Sequence, residues 1–288
     1  MLVGYGYTKK VPNDTYPFIA ISPISHNGRY ILVTGSSKGL GLSTALSFAK
    51  AGAAGIAVCA RSNPANIEEQ LVAAAKSAGS TVPEVLNIKV DISCHDDVKA
   101  AAALVQQKWG KLDILINNAG YSSDWVPLLE GNPDDWWRTF EVNLKGIYLT
   151  CREFIPLLLK SSEKTIVNVS SIGSLSLSPK DSAYQTSKIA LNRFTELLLV
   201  EYGEQGLLSY VIHPGGVMTD LASQLPKEMH KFLGDTPDLA GSTLVWLTKE
   251  KRDWLAGRYV SSNWDMEELV ARQQEIIDGD KLKVRLVV

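Results

Sequence analysis

Short apolar runs alternate along the chain with longer Ala- and Leu-rich stretches, and this alternation constrains the fold more than any other feature. The runs are residues 29–34 (RYILVT), 56–60 (IAVCA), 85–90 (VLNIKV), 112–116 (LDILI), 165–170 (TIVNVS) and 208–212 (LSYVI). Near-continuous apolar runs of this kind suit strands covered on both faces. Between them, residues 41–51, 67–78, 95–109, 143–159 and 182–202 read as helices. Strands that alternate with helices pair in parallel through right-handed crossovers, so the chain is expected to form a doubly wound α/β sheet of about seven strands with helices on both faces. Such a sheet binds ligands at the carboxyl ends of its strands.

Charge and composition narrow the function. The 29 Lys and Arg nearly balance the 31 Asp and Glu, giving a net charge of -2. No basic stripe suited to a nucleic-acid partner is evident. The three cysteines, Cys59, Cys94 and Cys151, are far apart and lack CxxC spacing. Neither a disulfide framework nor a metal site is expected, and a reducing, cytoplasmic setting is the simpler reading. The N-terminal residues lack the apolar core of a signal peptide, and nowhere is an apolar run long enough for a membrane span.

The first strand runs into Thr34-Gly35-Ser36-Ser37-Lys38-Gly39-Leu40-Gly41 and then into a helix. Glycines there let backbone amides approach a pyrophosphate at a positive helix N-terminus, as in a Rossmann-type nucleotide fold. The spacing is GxxxGxG, neither the GxGxxG fingerprint nor an NTPase phosphate loop, and alone it also fits an ordinary strand-to-helix turn. At the end of the second strand stand Arg61 and Ser62, with no acidic residue. An acid there would hold the free ribose hydroxyls of NAD(H), whereas a cation accommodates the 2′-phosphate of NADP(H). Arg61, with Lys38 on the phosphate side, therefore points to NADP(H) rather than NAD(H), unless Arg61 is merely a solvated surface charge.

Tyr184-Gln185-Thr186-Ser187-Lys188 places a phenol and an ammonium one turn apart on a helix. A neighbouring cation is expected to lower the phenol pKa and fit it for proton exchange with a substrate oxygen. YxxxK alone equally fits an amphipathic helix. Ser171, however, follows the fifth strand, Asn117-Asn118-Ala119-Gly120 follows the fourth, and Asn143 lies in Val142-Asn143-Leu144. Together these motifs resemble the short-chain dehydrogenase/reductase family in its compact, single-domain form.

The resemblance spans residues 29–261, leaving an N-terminal extension (1–28) and a C-terminal tail (262–288). It implies that Tyr184 is the general acid/base, Ser171 orients the reacting oxygen, Lys188 binds the nicotinamide ribose and supports Tyr184, and Asn143 holds a relay water. It implies further that Gly35, Ser37, Gly39 and Leu40 line the pyrophosphate and that Asp91 and Ile92 bracket the adenine. Asn118, Ala119 and Gly120 would pass the adenosine ribose, while Pro214, Gly215, Val217 and Thr219 would meet the nicotinamide carboxamide. Relatives associate as homodimers or homotetramers through the helices that contain Asn143 and Tyr184.

The substrate is expected to be a small molecule. Tyr121, Ser122 and Trp125 are pocket candidates, and residues 221–235, which lack a strand pattern, read as a mobile lid whose Met229 and His230 reach substrate or face solvent. His213 is read as structural, and Trp136, Trp137, Trp246, Trp254 and Trp264 as core or subunit contacts. Residues 257–265, 13–17 and 280–282 resemble fungal members of the family serving secondary metabolism. The implied function is an NADP(H)-dependent ketoreductase or alcohol dehydrogenase. A dinucleotide-binding sensor or scaffold without turnover is the alternative, although such a protein has no need of Asn143, Ser171, Tyr184 and Lys188. An epimerase or dehydratase of the extended type would require a larger C-terminal domain.

Overall fold

A computed structural model describes residues 4–62 and 66–286, so the outermost residues of the extension and tail lie outside the described residues. The six apolar runs form β1 (Tyr30–Thr34), β2 (Gly55–Ala60), β3 (Glu84–Lys89), β4 (Ile114–Asn117), β5 (Thr165–Val169) and β6 (Leu208–His213). A short β7 (Tyr259–Ser261) completes one parallel sheet in the order β3-β2-β1-β4-β5-β6-β7. The order reverses between β1 and β4, which opens a crevice at their carboxyl ends.

Alternate residues of β1 divide between two cores, as the two-residue period of a strand demands. Ile31 and Val33 pack with Phe48 of α1 (Gly39–Lys50), Leu71 of α2 (Ile67–Ser77) and Leu244 of α7 (Pro237–Thr248). Leu32 faces the other way, toward Val105 of α3 (His95–Trp109), Phe154 of α5 (Ile147–Leu158) and Leu191 of α6 (Ser182–Tyr202). The doubly wound architecture expected from the alternation is therefore present.

Two local features differ from the expectations. The helix expected over 143–159 is the last part of a longer helical stretch, which starts with α4 (Pro133–Phe140) and passes through a π-helical turn, Glu141–Gly146, before α5. Asn132 caps α4 by accepting from the amides of Asp134 (2.8 Å) and Asp135 (3.2 Å), with Pro133 at its first position. The second is α7, buried from Leu239 through Thr248, so its sequence carries no amphipathic period.

The extension and tail are packed against each other. Trp264 Nε1 donates to the Gly4 carbonyl (2.7 Å), Asp265 N to Thr8 Oγ1 (3.0 Å), and the amides of Lys9 (2.7 Å) and Lys10 (3.2 Å) to the Glu268 carboxylate. Arg272, beyond α8 (Met266–Ala271) and just before α9 (Gln273–Asp278), places its guanidinium 3.9 Å from the centre of the Tyr7 ring. Cys59 and Cys151 are buried, Cys94 is exposed, and all three are free thiols. Among the described residues no helix is long and apolar enough to cross a membrane, and no cluster of side chains has the makings of a metal site.

Candidate active site

The end of β5 and the first turns of α6 meet at the crevice. Ser171 leaves the strand in extended conformation and caps a short 3-10 turn, its Oγ accepting from Gly173 N at 3.0 Å. A methyl group built on Gly173 would lie 3.3 Å from Ser171 Oγ and 3.6 Å from Tyr184 Cε1, so both side chains flank one point. Lys188, 3% exposed, donates from Nζ to the Val169 carbonyl at 2.8 Å and sits 5.6 Å from the Tyr184 ring centre.

This geometry corrects the expected effect of the lysine on the phenol. Burial pushes the Tyr184 hydroxyl up to about 12, opposed by a hydrogen bond with Ser171 and assisted by the charge of Asp181. Burial pushes the Lys188 ammonium down to about 8. The ammonium is drawn to a strand-end carbonyl and lies by the ring, so desolvation outweighs Coulomb attraction at the phenol. Tyr184 is consequently a protonated donor at neutral pH.

Asn143 is fully buried in the π-helical turn. Its Oδ1 accepts from Tyr121 N (2.8 Å), and its Nδ2 donates to the Tyr121 carbonyl (2.8 Å) and to Ser187 Oγ (3.0 Å). Both hydrogens of the amide are spent on protein, so only Oδ1, which accepts a single bond, has capacity left in the side chain.

The glycine loop packs closely against the loop that follows β4. Gly35 has φ +65°, and a methyl group there would come within 2.8 Å of Ala119 Cα; one on Gly41 would lie 2.3 Å from the Gly35 carbonyl oxygen. Asn118 Nδ2 donates to the carbonyls of Thr34 (2.9 Å) and Gly35 (3.2 Å), and Asn118 N and Ala119 N donate to Thr34 Oγ1, which ties the two strand-end loops together. Gly120 is exposed beside Asn143 and the Lys188 ammonium, and Ser37 is half-buried in the loop. Arg61 and Ser62 are exposed at the end of β2, and Arg61 makes no hydrogen bond or ion pair among the described residues.

Other expected nucleotide contacts are otherwise engaged. Lys38 pairs with Asp220 rather than standing free for a phosphate; both are exposed, and the pair links the glycine loop to the loop after β6. The Asp91 carboxylate accepts from Ser93 and pairs with Arg138 at 3.2 Å, while Ile92 is buried against Gly146. Pro214, Gly215, Val217 and Thr219 do line the crevice, with Thr219 facing Gly39. Asp235, with no motif around it to mark it, pins this loop: it accepts from Gly216 N (2.6 Å) and Asn263 Nδ2 (2.8 Å).

Beside Tyr184 and Ser171 opens a cavity of about 300 Å³, into which Leu40, Ser122, Trp125, Asp181, Gln185 and His213 also reach. Tyr121 does not line it, because its hydroxyl turns to Asp135 and its amide to Asn143. Residues 221–235 form its outer wall through Leu221, Leu225, Met229 and Phe232, whereas His230 bonds back to the Leu225 carbonyl at 2.9 Å. His213 lines the cavity as well as serving the fold: its Nδ1 accepts from Ile172 N at 3.2 Å and so fixes the turn that carries Ser171. Trp246 and Trp264 are core residues, whereas Trp137 stacks on Phe140 in an exposed aromatic cluster.

A family model described as short chain dehydrogenase matches residues 29–230. The chain belongs to the short chain dehydrogenase family. A short chain dehydrogenase of Monascus purpureus, mpl6, is 52% identical over 285 residues, covering 99% of this chain and 98% of the relative. Another from Emericella variicolor, andI, is 41% identical over 276 residues, covering 96% and 94%. A 3beta-hydroxysteroid dehydrogenase of Mediterraneibacter gnavus is 32% identical over 233 residues, covering 80% of each chain. Among solved structures, a short chain dehydrogenase from Salmonella enterica superposes with a TM-score of 0.73 at 26% identity, covering 86% of this chain and 99% of that one. One from Shigella flexneri, complexed with NADP, has a TM-score of 0.70 at 26% identity, covering 83% and 99%. The similarity to the fungal dehydrogenases thus includes the extension and tail, which the family model leaves out. The chain is an oxidoreductase by family, and that family uses a nicotinamide dinucleotide.

Proposed function

We propose that this dehydrogenase is an NADP(H)-dependent ketoreductase or alcohol dehydrogenase acting on a ketone or secondary alcohol of a secondary metabolite. The observation that carries the reading is the convergence of Ser171 and Tyr184 on one apolar-walled cavity, with the Lys188 ammonium buried beside the Tyr184 ring. Residues 29–261 constitute the catalytic domain, with residues 1–28 and 262–288 as extensions of it. The 3beta-hydroxysteroid dehydrogenase in the similarity set supports a ring-bearing alcohol or ketone as substrate.

The substrate carbonyl sits with its oxygen between the two hydroxyls. Ser171 Oγ accepts from Gly173 N and, once the substrate oxygen lies between it and Tyr184, donates its hydrogen to the developing oxyanion. Tyr184 then gives that oxygen its proton. Lys188 holds the ribose side of the cofactor and offers positive charge as the phenolate forms. Asn143 keeps Tyr121 and the π-helical turn in place, and in the proposed mechanism it holds a relay water. The glycine loop, Asn118, Ala119, Gly120 and the loop 214–219 hold the dinucleotide, with Arg61 and Ser62 at the 2′-phosphate. When bound, the nicotinamide supplies or takes up the hydride.

Exposed Trp137, Tyr148, Leu197 and Val200 on α4, α5 and α6 support a homodimer or homotetramer, and the three free thiols suit a cytoplasmic setting. Replacing Tyr184 by Phe tests the proposal: consumption of NADPH with a panel of ketones is expected to fall by about 10²- to 10⁴-fold, while NADPH still binds in a fluorescence titration. Near-normal turnover in Tyr184→Phe would remove the assignment.

A further inference from the structure

The N-terminal extension, which the family model does not cover, reaches the active-site cavity. Tyr5 lines the same cavity as Tyr184, Trp125, Phe232 and Asp235. Its ring is 38% exposed, and its hydroxyl makes no hydrogen bond among the described residues. Burial and the negative charge of Asp235 raise its pKa, so the phenol stays a neutral donor.

The peptide around it is held from outside the cavity. Gly4 packs on Leu175 and on Trp264, which also donates to its carbonyl. Thr8, Lys9 and Lys10 are fastened to Asp265 and Glu268, and the Tyr7 ring is stacked between Trp264, at 4.9 Å between centres, and the Arg272 guanidinium. Farther along, Thr236 N donates to the Asn13 carbonyl (2.8 Å) and Thr15 Oγ1 to Ser242 Oγ (3.0 Å), which brings the extension to the end of the segment forming the outer wall. The extension is thus a strap clasped by the tail, and it brings an aromatic side chain to the cavity that Ser171 and Tyr184 line.

We infer that Tyr5 determines substrate specificity: its ring closes the outer wall of the cavity against a flat, ring-bearing ketone, and its unpaired hydroxyl meets a polar substituent on that ring. This rests on the ketoreductase reading above and assigns its substrate class. Trp125 and Phe232 offer the other aromatic surfaces, and Ser171 and Tyr184 take the carbonyl. A ringless ketone fits between the hydroxyls without reaching Tyr5.

The test uses the full chain with NADPH and two carbonyl probes, 9,10-phenanthrenequinone with three fused rings and 2,3-butanedione with none. Loss of one aromatic contact and its burial predicts that Tyr5→Ala raises KM for the quinone by about tenfold. The same variant leaves kcat, the KM for NADPH and 2,3-butanedione kinetics within about twofold, a split that general loosening of the fold would not give. Glu268→Ala, which touches no cavity residue but releases the strap at Lys9 and Lys10, shifts the quinone KM in the same direction by a smaller factor. Equal effects on both probes, or none on the quinone, would overturn the inference. If wild type reduces neither probe, the ketoreductase reading fails separately and calorimetry decides the role of Tyr5. A tenfold weaker affinity of Tyr5→Ala for the quinone sustains that role, and equal affinity or no binding to wild type refutes it.

Discussion

Acidification should destabilise this protein through two histidines held neutral in its interior. His26 is fully buried between Ser25 Oγ (3.1 Å) and Thr248 Oγ1 (3.0 Å), and burial, with the nearby Arg29 charge, lowers its pKa from 6.5 to about 3. His213, at the cavity floor, accepts from Ile172 N through Nδ1 and is lowered by burial from 6.5 to about 4. A folded-state pKa below the unfolded value means that the unfolded chain gains protons first, so this stability is complete above pH 6.5 and drains away as pH falls. Between pH 7.5 and pH 5 each histidine costs about 2 kcal/mol. Asp181 works in the opposite sense, because burial raises its carboxyl from 3.8 to about 6. Its neutralisation on acidification returns about 1 kcal/mol over the same interval, leaving a net loss of about 3 kcal/mol. Urea denaturation followed by tryptophan fluorescence at pH 7.5, 6 and 5 measures the loss directly. A double variant, His26→Gln with His213→Asn, should abolish it and leave the small opposite slope of Asp181. A wild-type stability that is flat or rises toward pH 5 would refute the reasoning.

Two further outcomes follow from the nucleotide crevice and the π-helical turn. Arg61→Asp removes the cation at the end of β2 and should lower the ratio of kcat/KM with NADPH to that with NADH by about 10- to 100-fold; an unchanged ratio in steady-state kinetics with both cofactors would show that Arg61 is only a surface charge. Asn143→Ala deletes three hydrogen bonds, to Tyr121 N, the Tyr121 carbonyl and Ser187 Oγ. At about 1 kcal/mol each it should cost about 3 kcal/mol in urea denaturation, and unaltered stability would mean that water replaces the amide.

The clearest signals in the chain are those whose cause is local. Strands buried on both faces must be apolar throughout, so β1 to β6 stand out, and a close loop passage demands the small residues at Gly35 and Gly41. α4 carries an equally local signal, because Asn132, Pro133, Asp134 and Asp135 make a helix start, but its polar first turn lacks the apolar period that marks an amphipathic helix. α7 hid for the opposite reason: a helix buried on every side shows no period.

The sequence alone determines the sheet, the nucleotide loop and the order of Asn143, Ser171, Tyr184 and Lys188, since each follows from short-range spacing or from a motif. Tertiary structure decides the state and company of those groups. Desolvation, which depends on everything packed around a site, raises the Tyr184 phenol where its neighbour in sequence was expected to lower it. Lys38 and Asp91 find partners in Asp220 and Arg138 on other loops, and Asp235 locks the loop after β6 through Gly216 and Asn263. The strap reaches the cavity through contacts such as that of Lys9 with Glu268, across 259 positions of chain, which no local pattern encodes.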